Sequence, residues 1–315
     1  MYISIISMWR SVKKIVTSKW FKYVFSAILI VWAFHRINIT RLLMGVRHVN
    51  IWIIIGLVAY LGITMVIGGL RWSLLLFPKI KLKDVLIFTK ATYLGAFYSL
   101  FFPTSVAGDL LKWVPLTEKY PELSKTTLAS SAMIDRVIGF TAFAIVALLA
   151  LILGKIFKYQ FPDIIFYVFI LANVGIAIFY GLVYLTDIDK LLGKWSKLKK
   201  VEEVVGVLKK ENKQRIFRCL GLSLITEPVW IMTNFFTAKV FHVPLSPLQI
   251  FIFMPIISMI LVLPISIAGF GARENLYLFF LSQLGIPDEK LLLMSAFGGI
   301  LGVLNSLIGG IFLLF

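Results

Sequence analysis

A chain of 315 residues that is 60% hydrophobic and 15% charged, with a mean hydropathy of +0.94, carries far more apolar surface than a soluble domain needs to fill its core. The formal net charge of +17 would suggest nucleic acid in a soluble protein. Here Lys and Arg flank apolar spans and are not interleaved with exposed aromatics, so they point to membrane orientation and anionic headgroups and exclude nucleic acid. A single cysteine, Cys219, excludes an internal disulfide, and His35, His48 and His242 lack metal-ligand spacing, so no cofactor and no metal are expected.

Residues 1–9 are apolar but short and read as interfacial. Arg10, Lys13, Lys14, Lys19 and Lys22 precede the apolar stretch 23–34, and no small-residue cleavage site follows. That is the pattern of an uncleaved signal anchor with a cytoplasmic amino terminus. The loop 35–48 holds Asn38-Ile39-Thr40, a glycosylation-type triplet of a kind common by chance. The runs 49–70, 128–153, 162–185 and 291–315 reach the ~20 residues needed to cross a bilayer, and 216–238 makes a further span. Residues 71–84 form a basic loop. The stretch 85–103 enters the membrane, and 106–117 is too short and polar to be another full span. Residues 186–215, with Lys190, Lys194, Lys197, Lys199, Lys200, Lys209, Lys210 and Lys213, read equally as an amphipathic surface helix pair or a solvated linker.

One phrase is written twice. Pro103, Ser105, Ala107-Gly108 and Lys112 match Pro264, Ser266, Ala268-Gly269 and Arg273 at a single offset without a gap. Proline removes a backbone donor and glycine lets the chain turn, so Pro103, Gly108, Pro264, Gly269 and Gly271 mark two re-entrant hairpins. Helix breaks at matching places in two halves are the sequence mark of a transporter-like inverted repeat.

Charge bias supports the hairpins. If the chain turns back at Pro103, the inside loops hold 21 Lys and Arg and the outside loops seven. A full crossing by 85–103 would put the nine-charge segment 186–215 outside, against the positive-inside bias. The expectation is an all-α polytopic bundle, one transmembrane domain over 1–315. It comprises an anchor at 1–48, a first repeat at 49–153, a linking span and basic segment at 154–215, and an inverted second repeat at 216–315.

Charges at membrane depth cost at least ~2.5–3.5 kcal/mol on insertion scales and normally face a cavity or a partner. Asp109 and Lys112 sit three apart on the first return arm, and Arg273 and Glu274 open the second. A half-helix beginning near Ala272 with Arg273 in its first turn suits a phosphate; the alternative is an Arg273 that snorkels to the interface. Asp135 and Arg136 are adjacent, so their side chains diverge, and Asp135 is placed to neutralise Lys112 or Arg273. Glu227-Pro228 falls in mid-span. Glu227 is either a candidate proton carrier or a neutral buried acid bonded to Asn234 or Thr226.

Enzymatic readings are weaker. Asp187-Ile188-Asp189 spells an acidic pair used by glycosyltransferases, but it stands at a span end and reads as a helix cap. Gly269-Phe270-Gly271 has no preceding strand and is no dinucleotide motif.

Gly108-Asp109-Leu110-Leu111-Lys112, the run 129–136 ending in Asp135-Arg136, and the run 263–274 ending in Arg273-Glu274 resemble, in that order, three blocks of the lysylphosphatidylglycerol synthase transmembrane region, a flippase-like membrane family. The likeness covers the chain from about Val49 onwards. It implies a lipid-translocating bundle with re-entrant helices, and it marks Asp109, Asp135, Arg136, Arg273 and Glu274. The bifunctional members carry a cytosolic aminoacyl-transferase domain; none follows the span 291–315 here, so synthase activity is not expected. The expected function is translocation of an anionic or phosphate-headed lipid, phospholipid or polyprenyl-linked, in the plasma membrane. The alternatives are a membrane component of lipid aminoacylation or lipid-linked glycosyl transfer, or a non-transporting scaffold for a synthase or glycosyltransferase partner.

Overall fold

The computed structural model describes residues 49–100, 108, 111–185, 213–262 and 271–312, and every regular element among them is helical. In chain order these are α1 (Ile51–Leu76), α2 (Leu82–Ser99), the single turn α3 (Leu116–Lys119), α4 (Lys125–Ile156), α5 (Asp163–Leu185), α6 (Lys213–Val240), α7 (Pro247–Leu261), α8 (Ala272–Leu281) and α9 (Asp288–Ile311). A 3-10 turn, Ser282–Leu284, follows α8. Helices α1, α4, α5, α6 and α9 are long and apolar enough to cross a bilayer, so the protein is an all-α integral membrane protein. The expected anchor at 23–34, Pro103, Asp109, Pro264, Gly269 and all but the last residues of the basic segment 186–215 lie outside the described residues.

Helix boundaries follow local chemistry. Asn50 and Ser124 accept the backbone N–H of Trp52 and Thr127 at the starts of α1 and α4, and Ser246 with Gln249 forms a capping box at α7. The end of α1 departs from the sequence boundary at residue 70. The helix continues to Leu76 and buries Trp72, Ser73 and Leu75, so Arg71 belongs to a span and not to a basic loop. The apolar run Leu74–Phe77 after Arg71 is what extends it, since ending the helix at the arginine would leave those side chains without the core they fill.

Two apolar clusters fix how the helices run. In one, Trp72 and Leu75 from the end of α1 meet Leu128 and Ile134 from the start of α4 and Ile216 and Cys219 from the start of α6. In the other, Leu57 and Leu61 from the start of α1 meet Leu151 from the end of α4 and Ala238 from the end of α6. Helix α1 therefore runs opposite to α4 and α6 and ends at what is here termed the first face. Helix α1 packs on α6, α2 on α1 and α9, α7 on α6 and α4, and α6 on α4, while α9 also packs on α1 and α8. Helix α5 touches α4 and turns Ile164, Tyr167, Leu171 and Ile178 outward, as a lipid-facing helix does.

Contacts tie the ends of the two shorter helix pairs back towards the elements they start from. From the first face, α2 sets out, Gly108 lies against its last turn, and the Tyr120 phenol donates to Asp84 Oδ1 at 2.8 Å, back where α2 began. Burial and this bond hold the Tyr120 phenol well above its ordinary pKa. Phe77, Phe88 and Tyr120 pack ring on ring around it. At the second face, α7 and α8 have 15 and 10 residues. Gln283 Nε2 donates to the Gln160 carbonyl at 3.4 Å, and Lys290 Nζ to the His242 carbonyl at 3.0 Å, beside the start of α7.

In lipid, helix association depends on close packing more than on apolar burial, and small residues permit it. A Cβ on Gly69 would lie 2.7 Å from Thr89 Cα, so α1 and α2 cross with backbones nearly touching. Gly69→Val should destabilise the protein by about 1–3 kcal/mol through this collision. Gly56→Val, where a Cβ meets nothing within 4 Å, serves as control. Equal melting of the two variants in detergent would contradict the close crossing.

Candidate functional site

Four chain segments meet around one buried ion cluster. Asp135, buried on α4, receives Arg71 Nε on Oδ1 and Lys112 Nζ on Oδ2, each at 2.6 Å. Arg71 comes from the last turns of α1, and Lys112 from the turn that follows the first hairpin. Arg71 Nη1 reaches on to Ser223 Oγ on α6 at 2.8 Å, and the Cys219 thiol, one turn earlier, donates to the Arg71 carbonyl at 3.4 Å. Gly139, one turn beyond Asp135, leaves room for the guanidinium, since a Cβ there would lie 3.3 Å from Nη1. Trp72 forms the wall: its ring centroid is 4.6 Å from Lys112 Nζ, and its Nε1–H donates to Ser131 Oγ at 3.0 Å.

The side chains are only 14% (Arg71), 5% (Lys112) and 2% (Asp135) exposed. Charge-assisted bonds are strong where water is excluded, and each carboxylate oxygen here takes one cation. One turn beyond Ser223 on α6 stands Glu227, partly buried, which acts electrostatically on Arg71. Neither expected neutral partner holds it: Asn234 Oδ1 accepts the Tyr277 phenol at 2.8 Å, and Thr226 Oγ1 donates to the Leu222 carbonyl.

The second hairpin is held differently. Gly271 has φ +77°, a conformation that favours glycine, and its N–H donates to Glu274 Oε2 at 2.6 Å. Ser295 Oγ on α9 donates to Oε1 at 3.2 Å, so Glu274 caps α8 and ties it to α9. Arg273, in the first turn of α8, is partly buried, as is Arg136 on α4. Of the residues singled out from sequence, the fold thus joins Lys112 to Asp135 and places Glu274 at the helix cap. Asp109, Pro103, Pro264 and Gly269 fall outside the described residues.

Among the described residues, no three His, Cys, Asp or Glu side chains gather so as to hold a metal ion. A cleft lined by Gln160, Phe161, Pro162, Phe279, Phe280 and Gln283 opens at the second face, with no ionisable side chain in its wall.

The family model described as the lysylphosphatidylglycerol synthase TM region matches residues 19–309. The chain belongs to this family. No curated protein and no solved structure matches it. Membership in the lysylphosphatidylglycerol synthase TM family sets the charge cluster in an integral membrane protein of a family linked to lipid modification or transport. Sequence reasoning missed Arg71, Ser223 and the wall residue Trp72. Arg71 was legible in principle, because an arginine between Gly68-Gly69 and a continuing apolar run stands inside a span.

Proposed function

We propose that this protein moves an anionic or phosphate-headed lipid, phospholipid or polyprenyl-linked, between leaflets, using two inverted units, 49–153 and 216–315, with 1–48 as anchor and 154–215 as link. The site lies between the units and draws on Asp109, Lys112, Asp135, Arg136, Arg273 and Glu274.

One observation carries the two-unit reading. Exchanging α1 with α6, α2 with α7, α3 with α8 and α4 with α9 turns each of the main helix pairings among them into one that also occurs. The pair α4–α7 becomes α9–α2, α1–α2 becomes α6–α7, α4–α6 becomes α9–α1, and α1–α6 maps on itself. Helices α1 and α6 run in opposite directions, as inversion requires. Each return arm is also bonded to the span that follows it: Lys112 to Asp135, 23 residues on, and Glu274 to Ser295, 21 residues on. Broken helices at such an interface are where transporters of this architecture bind substrate.

The direct test is reconstitution of this protein alone in vesicles carrying a headgroup-labelled anionic phospholipid on one leaflet. Protein-dependent equilibration between leaflets is expected. Turnover of a lipid-linked sugar or aminoacyl donor without equilibration would favour an enzyme, and neither activity without a partner would favour a scaffold.

Orientation is tested separately. In a background lacking Cys219, single cysteines at Ser124 and Ser196 are expected to label only from the cytoplasmic side of the plasma membrane. The charge bias supports this, and it persists when Arg71 and Lys112, both drawn into the bundle, are removed from the inside count. Labelling of position 124 from outside would remove the two-unit topology.

A further inference from the structure

Glu227 stands half-way along α6 and makes no hydrogen bond or ion pair to any described residue. An acid at that depth is costly unless it has work to do. Ser223, which accepts Arg71 Nη1, lies one turn before it on the same helical face, about 6 Å along the axis. Pro228 follows and cannot donate to the Leu224 carbonyl, so the helix is weakest at this level.

The charged neighbours are few. Helix α1 contributes Arg71; α4 contributes Asp135, which already holds Arg71 and Lys112, and the adjacent Arg136. Helix α7 has no ionisable residue, and α9 has them only in its first turn, Asp288-Glu289-Lys290, at the second face. Helix α8 brings Arg273, Glu274 occupied by its cap, and Tyr277 bonded to Asn234 nearly two turns further along α6. On α6 itself the nearest are Cys219 and Arg218 before, and Lys239 well after.

Within the cluster of Arg71, Lys112, Asp135 and Glu227, the charges balance when Glu227 is ionised. When it is protonated, one positive charge is in excess. We propose that Glu227 and Arg71 form a linked site that takes up one proton together with one monoanionic phosphate headgroup. The proton comes from water and rests on a Glu227 carboxyl oxygen. With the Glu227 charge removed, the excess positive charge of the cluster attracts the phosphate, and Arg71 N–H groups beyond those held by Asp135 and Ser223 donate to its oxygens. No covalent bond of the lipid forms or breaks, and the loaded site carries the same net charge as the empty one. The inference rests on the lipid-handling reading above and names the ion that accompanies the headgroup.

The experiment measures binding, not transport. Full-length protein in detergent is titrated with short-chain phosphatidylglycerol across about pH 5 to 9, with the zwitterionic phosphatidylcholine as comparison. One-for-one linkage weakens binding as pH rises, by up to roughly tenfold per pH unit. Glu227→Gln, which mimics the protonated acid, should hold the low-pH affinity throughout. A wild-type affinity independent of pH, or the wild-type slope retained in Glu227→Gln, would overturn the linkage. Proton uptake on adding lipid to weakly buffered wild-type protein gives a check that needs no variant. Close to one proton per lipid is expected, and none would overturn the proposal. Displacement of the lipid by equimolar inorganic phosphate would show that the site takes the free anion and would overturn a lipid headgroup as its ligand. Linked binding without leaflet exchange in vesicles would leave this inference standing while the transport reading fell.

Discussion

Asp135→Asn is expected to be the most destabilising single change in the described part of the bundle. The carboxylate is shared by two cations that have almost no access to water, and the amide that replaces it neutralises neither. Breaking a buried pair by removing one partner costs about 3–5 kcal/mol, because the remaining charge is left uncompensated. Against a total stability of about 5–15 kcal/mol, that is enough to empty much of the folded state. The loss should appear as a large fall in the melting temperature in detergent and as aggregation on size exclusion. Combining Asp135→Asn with Lys112→Met should recover part of it, since Arg71 then remains with Ser223 and the amide oxygen as acceptors. If Asp135→Asn melts within about 2 °C of the unaltered protein, the cluster is not what holds the first hairpin to α1 and α4.

The same cluster shows how far the sequence could be read. Apolar runs of bilayer length locate α1, α4, α5, α6 and α9, because crossing hydrocarbon imposes both length and composition. Charge bias argues for a turn-back after α2, and the bond of Tyr120 to Asp84 brings the chain after α3 beside the start of α2. Asp135 as the neutraliser of Lys112 was one of two options that sequence offered; the choice depends on which return arm lies beside α4, and packing alone decides that. Arg71 was hidden by position. A positive residue near the end of an apolar run is ordinarily a flank, and only burial of Trp72 and Leu75 beyond it turns that flank into the bundle interior. Ser223 gave no signal, since a hydroxyl in a membrane helix commonly bonds its own backbone; here it does so to the Cys219 carbonyl as well as accepting Arg71. The pairing of Tyr277 with Asn234 was equally beyond reach, because it links α6 to α8 across 43 residues with no charge to announce it.

Arg273 is the residue whose loss should most reduce lipid handling while sparing the fold. It sits in the first turn of α8, where the backbone N–H groups and the helix dipole favour an anion, and its guanidinium adds a full charge. Glu274, the next residue, is spent on capping Gly271 and holding Ser295, ties that the helix start keeps when the arginine is replaced. Lys112, its counterpart in the repeated phrase, is already engaged by Asp135 and cannot match the two-pronged contact of an arginine with phosphate. Losing a charge-assisted contact costs on the order of 1.5–3 kcal/mol, which corresponds to roughly a ten- to hundredfold loss of lipid affinity. In vesicles containing this protein alone, Arg273→Ala is therefore expected to slow headgroup translocation strongly. Arg273→Lys should restore it only in part, because a point charge keeps the attraction and loses the geometry. Lys112→Ala should do less harm, since Asp135 keeps Arg71. Translocation that proceeds at full rate in both Arg273→Ala and Lys112→Ala would rule out headgroup binding by these two residues, even with the helix packing unchanged.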